Sequence, residues 1–348
     1  MSVHSIMFMR IGFDAKRAFY NFTGLGNFAR SLVRDLSTYQ GQNDYFLFTP
    51  KVHPNEEVNQ FLQAIDAEIV SPLHPFHRTW RSFGASISAK KRKIDIFHGL
   101  SHELPRGLQL RGIGSVVTMH DIIYRLYPKY YTNTDRAIYH QKSSYACKTA
   151  DRIIAISEST KKDVVEEYRI PPEKIEVIYQ SCGVQYRTFF DHFKEDFDFR
   201  KRYKLPKQYM LYVGSVIERK KLLETVQAVQ KQYRETGIPL VVIGSGKQYM
   251  RRVYSYVVEN ELQDLIYFRP DINYLDLPYI YYGAEMLIYP SEYEGFGIPV
   301  IESQYCATPV ITSRMSSLPE VGGDHAFYLD EITSVEIERI IRKVLETS

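Results

Sequence analysis

The sequence contains few cysteines, a single tryptophan and almost no net charge. Its 348 residues include only Cys147, Cys182 and Cys306, which lie far apart and form no CxxC pair. An odd and sparse set of this kind favours reduced thiols in a cytosolic protein over a disulfide framework or a zinc site. The formal net charge of +3 is too small to indicate a nucleic-acid partner.

Long apolar runs are also missing. No stretch approaches the roughly 18 uninterrupted apolar residues of a transmembrane helix, so none is predicted. The first residues, MSVHSIMFMRIGF, contain one short apolar run and no small-residue cleavage signature, so no signal peptide is predicted. Together these features predict a cytoplasmic protein.

The composition is that of an ordinary globular protein, with 44% apolar and 24% charged residues. Short Val-, Ile- and Phe-rich runs alternate with amphipathic segments, which predicts an α/β fold with parallel sheets. The predicted strands are Ile6–Phe13, Tyr45–Thr49, Asp95–His98, Ser115–Met119, Arg152–Ile156, Lys174–Tyr179, Tyr209–Val213, Leu240–Ile243, Leu265–Phe268, Met286–Tyr289, Pro309–Thr312 and Ala326–Leu329. The clearest predicted helices are Asn27–Leu36, Lys221–Tyr233, Gln248–Asn260 and Val335–Leu345.

The alternation of strands and helices is interrupted once. Residues 186–206 are charged and aromatic, lack a clear period and separate two runs of six predicted strands. We therefore predict a linker there, between an N-terminal domain of residues 1–190 and a C-terminal domain of residues 206–348, in line with roughly 150 residues per domain. Two Rossmann-like domains of this kind create a cleft, and open α/β sheets bind ligands beyond the carboxyl ends of their strands.

The segment from Tyr289 to Ser313, YPSEYEGFGIPVIESQYCATPVITS, carries the most functional signals. A strand is followed by a glycine-containing loop, and Pro299 suits the first turn of a helix whose N-terminus favours anions. Glu294 in the loop and Glu302, expected in the first helical turn, border this anion site. Backbone amides that bind a phosphate, next to carboxylates that accept hydrogen bonds from hydroxyl groups, are typical of a site for a sugar nucleotide. The simpler alternative is a helix start with a favourable acidic first turn.

The two glutamates of EGFGIPVIE are separated by seven residues, with YPS before the run and TPVITS after it. This pattern resembles the signature of glycosyltransferase family 4 (glycosyl transferases group 1), and the resemblance extends over nearly the whole chain. It implies a GT-B fold, with two Rossmann-like domains whose parallel sheets face a central cleft. It also implies retaining, metal-independent transfer of a hexose from a nucleotide diphosphate sugar, with no further cofactor.

The same resemblance assigns roles to residues of this segment. It implies that Glu294 contacts the donor sugar near the reacting carbon and that Glu302 binds the ribose hydroxyls. Phe296, Gly297 and Ile298 would be backbone neighbours of the sugar and the diphosphate.

A second segment, from Gly214 to Lys221, runs from a strand end into a helix and carries consecutive cations. Cations at a helix start oppose the helix dipole, so either a bound diphosphate compensates for them or they form a solvated charge run. The segment resembles the family's Gly…Arg-Lys-Asn motif. The resemblance implies that Arg219 and Lys220 hold the diphosphate and stabilise the leaving group. Lys221 stands where the family usually has Asn.

The run SVVTMHD predicts a buried strand that ends at His120, at the carboxyl edge of a parallel sheet. A lone histidine is usually a satisfied structural residue, but this run resembles the family's TxHD strand end. The resemblance implies that His120 lies against the donor sugar and assists transfer by hydrogen bonding, without acting as a general base. His98, in DIFHGL, likewise ends a predicted strand.

The run TGLGN lies between the first predicted strand and a helix expected to begin near Asn27. A lone GxG is often a simple turn, but this one resembles the family's N-terminal GxGxY/F loop, closest to members that look like mannosyltransferases. Gly26 is therefore a candidate contact for the donor phosphate, and residues 20–22 are candidates for the acceptor side.

Asp196 and Asp198 have the Asp-x-Asp spacing by which transferases of a different fold hold a metal ion. The pair lies inside the predicted linker and not at a strand end. We therefore predict a solvated pair and no metal site.

Residues His77–Lys93 hold six Arg and Lys side chains and the only Trp, with Phe and Ile interspersed. This pattern is typical either of a basic amphipathic segment on an anionic membrane surface or of an ordinary solvated helix. A peripheral contact with the cytoplasmic face of a membrane would suit a lipid-linked acceptor.

The sequence as a whole predicts a hexosyltransferase of polysaccharide biosynthesis. It would move a hexose, with mannose as the candidate, from a GDP- or UDP-linked donor to a glycan or glycolipid acceptor. The alternatives are an epimerase or hydrolase of sugar nucleotides, and a binding protein that kept the fold and lost turnover. A binding protein should have lost Glu294, Arg219 or Lys220, and all three are present.

One part of the family pattern is not found. Relatives usually end in a helix that crosses back onto the N-terminal domain, whereas only three residues follow the predicted helix Val335–Leu345. We therefore expect this connection to be missing and the two halves to be more loosely coupled.

Overall fold

A computed structural model describes residues 8–72 and 79–347 of the chain. The chain divides between Gln180 and Ser181 into two compact units. Residues 186–206, for which the sequence predicts a linker, lie within the second unit. There Tyr186, Phe189 and Phe199 are buried in the apolar core, because the aromatic side chains of this segment pack against the rest of the unit.

The first unit is built on a parallel sheet in the order β3-β2-β1-β4-β5-β6-β7. Its apolar residues form two buried clusters, one containing Phe97 and Val117 and the other containing Phe13 and Leu47. The strands are β1 (Arg10–Asp14), β2 (Asp44–Phe48), β3 (Glu68–Val70), β4 (Ile96–Gly99), β5 (Gly114–Met119), β6 (Arg152–Ala155) and β7 (Ile175–Val177).

The helices of the first unit alternate with these strands. They are α1 (Lys16–Tyr20), α2 (Gly24–Tyr39), α3 (Glu56–Gln63), α4 (Ala85–Lys91), α5 (Ile123–Leu126), α6 (Asn133–Thr149) and α7 (Glu158–Tyr168). A π-helical turn, Trp80–Gly84, leads directly into α4, and short 3₁₀ turns lie at Gln109–Arg111, Pro128–Tyr130 and Pro172–Lys174.

The second unit repeats the plan with a parallel sheet in the order β10-β9-β8-β11-β12-β13. Its strands are β8 (Met210–Val213), β9 (Leu240–Ile243), β10 (Ile266–Phe268), β11 (Met286–Tyr289), β12 (Val310–Ser313) and β13 (Ala326–Leu329). The helices are α8 (Val184–Arg187), α9 (Phe199–Tyr203), α10 (Leu222–Thr236), α11 (Gln248–Glu259), α12 (Leu277–Tyr282), α13 (Ile298–Tyr305), α14 (Leu318–Gly322) and α15 (Ser334–Thr347). Short 3₁₀ turns lie at Phe190–His192, Glu218–Lys220 and Gly323–His325.

The predicted α/β class is confirmed, and each of the twelve predicted strands has its counterpart, although Ile6 and Met7 of the first lie outside the described residues. The prediction of six strands in the first half was wrong, because the structure adds β3 at the edge of the first sheet. This strand has three residues, of which only Val70 is buried. A strand so short and so exposed gives no alternating apolar pattern by which to predict it.

The parallel arrangement positions the candidate residues. All strand pairs in both sheets are parallel, so the carboxyl ends of the strands in one sheet lie along one edge. His98 and His120 come at the carboxyl ends of β4 and β5, and Gly214 and Pro290 follow β8 and β11. Each sheet therefore presents its predicted functional segments on one edge, where open α/β sheets bind ligands.

Candidate active site

Two cations of the second unit converge on one carboxylate. The Oε1 atom of Glu294 lies 2.9 Å from Nη1 of Arg219 and 3.2 Å from Nζ of Lys220. Arg219 also donates to the hydroxyl of Ser291 at 3.0 Å and to the carbonyl of Tyr293. The structure thus brings together residues that the sequence places 75 positions apart at the ends of two neighbouring strands.

The pKa values of this cluster follow from burial and charge. Burial raises the pKa of Glu294, but the charges of Lys220 and Arg219 outweigh it and hold the value at about 2. Burial lowers the pKa of Lys220, and the charge of Glu294 partly restores it. Glu294 is therefore ionised at neutral pH.

Tyr289 holds the lysine in place at the end of β11. Nζ of Lys220 donates to the Tyr289 hydroxyl at 2.6 Å and lies 4.7 Å from the centre of its ring. The tyrosine is buried, so the ammonium group gains a cation–π contact as well as a hydrogen bond. The family resemblance did not identify this residue.

Two serines after β12 hold the loop that carries Glu294. The hydroxyl of Ser316 accepts a hydrogen bond from the Glu294 backbone N–H at 2.8 Å. The Ser317 hydroxyl is placed 2.8 Å from the carbonyl of Glu294 and 2.7 Å from that of Phe296. These contacts fix the loop from both sides, and the serines were not among the predicted residues.

The loop ends at the N-terminus of α13. Gly297 precedes the helix with a φ of +112°, a region that favours glycine, and an added Cβ would lie 2.8 Å from Leu318. Ile298 and Pro299 open the helix, as the sequence predicts for Pro299. The buried side chain of Phe296 fixes the loop further. Gly297 and Ile298, two of the residues predicted to contact the sugar and the diphosphate through their backbone, therefore lie at the N-terminus of α13, the positive end of the helix dipole.

Glu302 lies deeper in the unit than the sequence predicts. The helix begins at Ile298, so Glu302 falls in its second turn, and the expected place in the first turn is wrong. Its carboxylate is buried and accepts a hydrogen bond from the Tyr281 hydroxyl at 2.9 Å. Burial raises the pKa of Glu302 to about 7, although Tyr281 and the charge of Lys220 oppose the shift.

The side chain of Lys221 forms ion pairs and is partly exposed. It has a φ of +54° at the position before α10 and lies 2.8 Å from Glu292 and 3.6 Å from Glu224. Asn tolerates left-handed backbone better than most residues. The left-handed backbone at this position explains why the family's Gly…Arg-Lys-Asn motif has Asn there.

In the first unit, His120 is buried and engaged at both ring nitrogens. Its Nε2 donates to the carbonyl of Leu100 at 2.9 Å, and its Nδ1 lies 3.0 Å from the side-chain amide of Gln180. Burial lowers its pKa to about 3, so the ring is neutral. The carbonyl contact assigns the proton to Nε2, and the Gln180 amide then donates to Nδ1.

His102, which the sequence did not single out, organises the same strand end. Its Nε2 accepts hydrogen bonds from the backbone N–H groups of His120 at 3.0 Å and Asp121 at 3.2 Å. His98 lies 2.8 Å from the Thr118 hydroxyl. Burial lowers the pKa of both His98 and His102 to about 4, so all three rings are neutral at physiological pH.

Gly26 lies inside α2 and not in a loop. The helix begins at Gly24, three residues before the predicted start at Asn27. The N–H of Gly26 is bonded to the carbonyl of Thr23 at 2.9 Å and to the side chain of Asn21 at 3.1 Å. An added Cβ would lie 1.6 Å from the Asn21 carbonyl oxygen. Close approach of the chain therefore requires glycine at this position.

Sequence reasoning missed a buried ion network at the edge of the first sheet. The guanidinium of Arg81 lies 2.8 Å from Asp14, at the end of β1, and 2.7 Å from Glu103, in the loop after β4. Lys142 of α6 lies 3.0 Å from the same Glu103. These residues come from four separate parts of the chain, so no local pattern predicts them.

The remaining sequence candidates have structural roles. Asp198 caps α9 by accepting from the Lys201 N–H at 3.0 Å. The three cysteines are buried and form no disulfide. Within residues 8–72 and 79–347, no group of three or more His, Cys, Asp or Glu is arranged to hold a metal ion.

The basic segment His77–Lys93 is partly described, since His77 and Arg78 lie outside the described residues. Trp80 packs against the core beside Phe48, with ring centres 6.3 Å apart. Phe83 and Ile87 remain exposed. In the part of the chain that the structure describes, no helix is both long and apolar enough to cross a bilayer.

Comparison with known proteins identifies the two halves. Residues 193–348 match the family described as "Glycosyl transferases group 1", and residues 22–182 match "Glycosyltransferase Family 4". The chain is 28% identical over 344 residues to O-antigen chain mannosyltransferase B of Escherichia coli, which covers 92% of this chain and 87% of the relative.

Solved structures show the same fold. A glycosyltransferase from Rickettsia africae matches with a TM-score of 0.72 at 18% identity, over 97% of this chain and 88% of that one. HepE of Anabaena, solved in complex with UDP and glucose, matches with a TM-score of 0.68 at 14% identity, over 98% and 90% of the two chains. With two parallel-sheet domains and neighbours of this kind, the fold is GT-B, and the chain belongs to the group 1, family 4 glycosyltransferases.

Proposed function

We propose that this glycosyltransferase moves a hexose, with mannose as the first candidate, from a nucleotide diphosphate sugar to a glycan acceptor. The observation that carries the proposal is the cluster of Arg219, Lys220 and Glu294 at the carboxyl edge of the second sheet. The name of the Escherichia coli relative supports mannose and a glycan acceptor. The UDP complex of the Anabaena protein supports a nucleotide donor.

The cluster suits a diphosphate leaving group. Cleavage of the bond between the sugar and the diphosphate leaves negative charge on the diphosphate, which Arg219 and Lys220 would stabilise. An entering diphosphate would compete with Glu294 for these two cations. The carboxylate so released could then accept hydrogen bonds from the sugar hydroxyls. Because its pKa is about 2, Glu294 stays ionised throughout.

Other residues would position the donor. Gly297 and Ile298 lie at the N-terminus of α13, which favours the diphosphate. Glu302 would accept a hydrogen bond from the ribose, in competition with Tyr281. His120 would contact the sugar as a neutral ring, through the Nδ1 atom that Gln180 now occupies. Gly26 would act by keeping the turn before α2 tight.

Retention and metal independence are part of the proposal. A retaining enzyme gives a product with the same anomeric configuration as the donor, which NMR of the freshly formed product distinguishes. Two cationic side chains at the leaving group would make a divalent metal unnecessary, so a chelator should leave the initial rate unchanged. An inverted product or a rate restored only by added metal would contradict these assignments.

The donor is identified by a thermal-shift screen against GDP- and UDP-linked sugars. Stabilisation grows with ligand concentration over its dissociation constant, so the bound donor raises the melting temperature selectively. We expect a GDP- or UDP-linked hexose to respond. No response from any nucleotide sugar would contradict the proposal, and release of free sugar without an acceptor would favour a hydrolase.

We also propose peripheral contact with an anionic membrane through the region of α4. The exposed Phe83 and Ile87 adjoin the loop of Arg106 and Arg111, whose residue Leu110 is 92% exposed. Lys90 donates to the carbonyl of Arg111 at 2.9 Å, which joins the two segments. Apolar side chains ringed by cations suit an anionic lipid surface at the cytoplasmic face.

Vesicle sedimentation tests this contact. The protein should sediment with phosphatidylglycerol vesicles and not with phosphatidylcholine vesicles. Changing Leu110 and Phe83 together to Ser should abolish the binding, whereas the same change at the exposed Val335 of the second unit should not. Equal sedimentation of both variants would show that this region does not bind the membrane.

A further inference from the structure

The side chain of Lys220 is charged and yet almost enclosed, with 12% of it exposed. The ring of Tyr289 lies beside its ammonium group, with the ring centre 4.7 Å from Nζ. A Cβ added to Gly214 would lie 3.3 Å from Nζ and 3.8 Å from Cε2 of Tyr289. Glycine therefore leaves room for the ammonium group next to the ring. We call Gly214, Lys220 and Tyr289 the ammonium slot.

The sheet of the second unit sets the width of the ammonium slot. Gly214 follows β8 and Tyr289 is the last residue of β11, and these two strands are paired in parallel. Neighbouring strands lie about 4.8 Å apart, so the glycine and the tyrosine are held at a fixed spacing. Tyr289 is also buried. The slot is therefore built on the rigid part of the unit and not on a loop.

The ammonium group of Lys220 has three N–H donors. It donates to the Tyr289 hydroxyl at 2.6 Å and lies 3.2 Å from Oε1 of Glu294. Within residues 8–72 and 79–347, the side chain forms no other hydrogen bond or ion pair. One N–H group can therefore be donated to a ligand while both of these contacts persist.

Arg219, the other cation of the active site, is held differently. It donates to the hydroxyl of Ser291 at 3.0 Å and to the carbonyl of Tyr293. Neither contact involves the carboxylate that the two cations share. When a diphosphate displaces that carboxylate, Arg219 keeps both partners, whereas Lys220 keeps only Tyr289 among the described residues. Because a lysine has a flexible stem of four carbons, its position then depends on this tyrosine.

We propose that Tyr289 is a positioning residue for the donor, which keeps the Lys220 ammonium at the diphosphate while Glu294 turns to the sugar. The hydroxyl and the ring hold Nζ, and the remaining N–H groups donate to phosphate oxygens in charge-assisted hydrogen bonds. A lysine that is already held in place loses less freedom on binding, so the diphosphate binds more tightly. The inference rests on the proposed function, because it takes Lys220 as a ligand of the donor diphosphate.

Titration calorimetry on the full chain tests the proposal with the nucleoside diphosphate that the donor screen identifies. Tyr289→Phe removes the hydroxyl and keeps the ring, whereas Tyr289→Leu removes both. We expect Tyr289→Phe to bind the diphosphate about tenfold more weakly than the native chain, because a hydrogen bond to a charged group is lost. Tyr289→Leu should bind it more weakly again, since the cation–π contact is lost as well.

The corresponding nucleoside, which has no phosphate, separates a positioning role from a structural one. The native chain and both Tyr289 variants should bind it with equal affinity. The matched control Tyr209→Phe removes another buried hydroxyl of the same unit, which donates to the carbonyl of Ile280 at 2.7 Å. It should lower the melting temperature, because a buried hydrogen bond is lost, and leave the diphosphate affinity unchanged.

Coupling between Tyr289 and Lys220 is a readout that a purely structural role would not give. If the tyrosine acts through the ammonium group, Tyr289→Phe should have no further effect on diphosphate affinity in a chain that carries Lys220→Met. Losses that add up in the double variant would show that Tyr289 acts independently of the lysine, and they would overturn the proposal.

Two further results would also overturn it. One is equal diphosphate affinity of Tyr289→Phe and the native chain, and the other is a loss of nucleoside affinity as large as the loss of diphosphate affinity. Both leave the diphosphate response of the native chain intact, so they contradict only this inference. An absent diphosphate response in the native chain contradicts the proposed function, and this inference with it.

Discussion

The two units carry ion clusters at corresponding places, on the carboxyl edge of a parallel sheet, and the clusters are built differently. In the second unit Arg219 and Lys220 both contact Glu294, so each cation has a carboxylate partner. In the first unit Arg81 is fully paired, whereas Lys16 and Arg17 are left without partners among the described residues. The difference separates a site in which two cations share one carboxylate from a site in which one arginine joins two carboxylates.

The clusters also differ in what supports them. The second is held by the loop between β11 and α13, which Ser316 and Ser317 fix from outside. The first depends on Arg81, whose two carboxylates come from distant parts of the chain. A change of Glu294 at the second site should therefore affect both catalysis and stability, whereas a change of Arg81 at the first should affect stability.

The largest effect is expected from Glu294→Gln. Loss of the carboxylate should lower turnover by about 100-fold or more, because the proposed hydrogen-bond acceptor for the sugar hydroxyls is removed. It should also lower the free energy of unfolding by about 3 kcal/mol, since two buried cations lose their partner. A coupled transfer assay and urea denaturation measure the two effects.

The matched control is Glu292→Gln, in the same loop, where the carboxylate pairs with Lys221 at 2.8 Å. It should keep most of the turnover. Equal activity of Glu294→Gln and the native chain would remove Glu294 from the mechanism.

Arg81→Met should give the largest purely structural effect. It leaves Asp14 and Glu103 without their shared cation, which should cost about 3–5 kcal/mol of stability. The surface pair of Arg92 and Glu68, 2.7 Å apart, provides the comparison, and Arg92→Met should cost less than about 1 kcal/mol. Similar denaturation midpoints for the two variants would show that the network of the first unit contributes little.

Glu302 makes stability depend on pH. The pKa of this carboxyl is about 7 in the folded chain against an ordinary value of 4.5, so the folded state holds an extra proton between these values. The contribution of Glu302 to stability should therefore be fully present below about pH 4.5 and fall by up to about 3 kcal/mol as the pH rises through about 7. Glu302→Gln should remove this fall.

Tyr281→Phe sharpens the same test. The Tyr281 hydroxyl stabilises the carboxylate, so its loss should raise the pKa of Glu302 and move the fall in stability to higher pH. Superimposable profiles of melting temperature against pH for the native chain and Glu302→Gln would contradict the shifted pKa.

Gly26→Ala should lower stability by about 1–3 kcal/mol, because the new Cβ would overlap the Asn21 carbonyl. Gly24→Ala is the matched control, since nothing lies within 4 Å of the Cβ added there. Alanine is the better helix former, so the control should be neutral or slightly stabilising. Equal denaturation midpoints for the two variants would show that the turn before α2 can relax.

The smallest effect is expected from Lys221→Asn. The pair with Glu292 is partly exposed, and Asn accepts the left-handed backbone, so stability should change by less than about 0.5 kcal/mol. Nucleotide affinity should stay unchanged. A large loss of affinity would place Lys221 with Arg219 and Lys220 at the diphosphate.

Local patterns predicted most of the fold because each strand run is apolar and bounded by turn residues. They failed for β3, which has one buried residue, and for the start of α2, where Gly24 and Gly26 suggested a loop. They also failed for residues 186–206, whose charges concealed the aromatic side chains that enter the second core. Tertiary packing decided each of these cases.

The candidate sites divide in the same way. Arg219 and Lys220 lie in one short motif and Glu294 in another, so all three were predicted from the sequence, and the structure brings them together. Asp14 and Arg81 were not, because their pairing depends on a contact across 67 positions. The sequence held one signal for this network. Asp14 is a charged residue that comes immediately after a predicted strand.

The central claim is that Arg219 and Lys220 hold the donor diphosphate in competition with Glu294. It is tested most directly by titrating the native chain, Glu294→Gln and Lys220→Met with the nucleoside diphosphate that responds in the donor screen. We predict that Glu294→Gln binds it at least as tightly as the native chain and that Lys220→Met binds it at least about tenfold more weakly. Equal affinity of the native chain and Lys220→Met would contradict the claim.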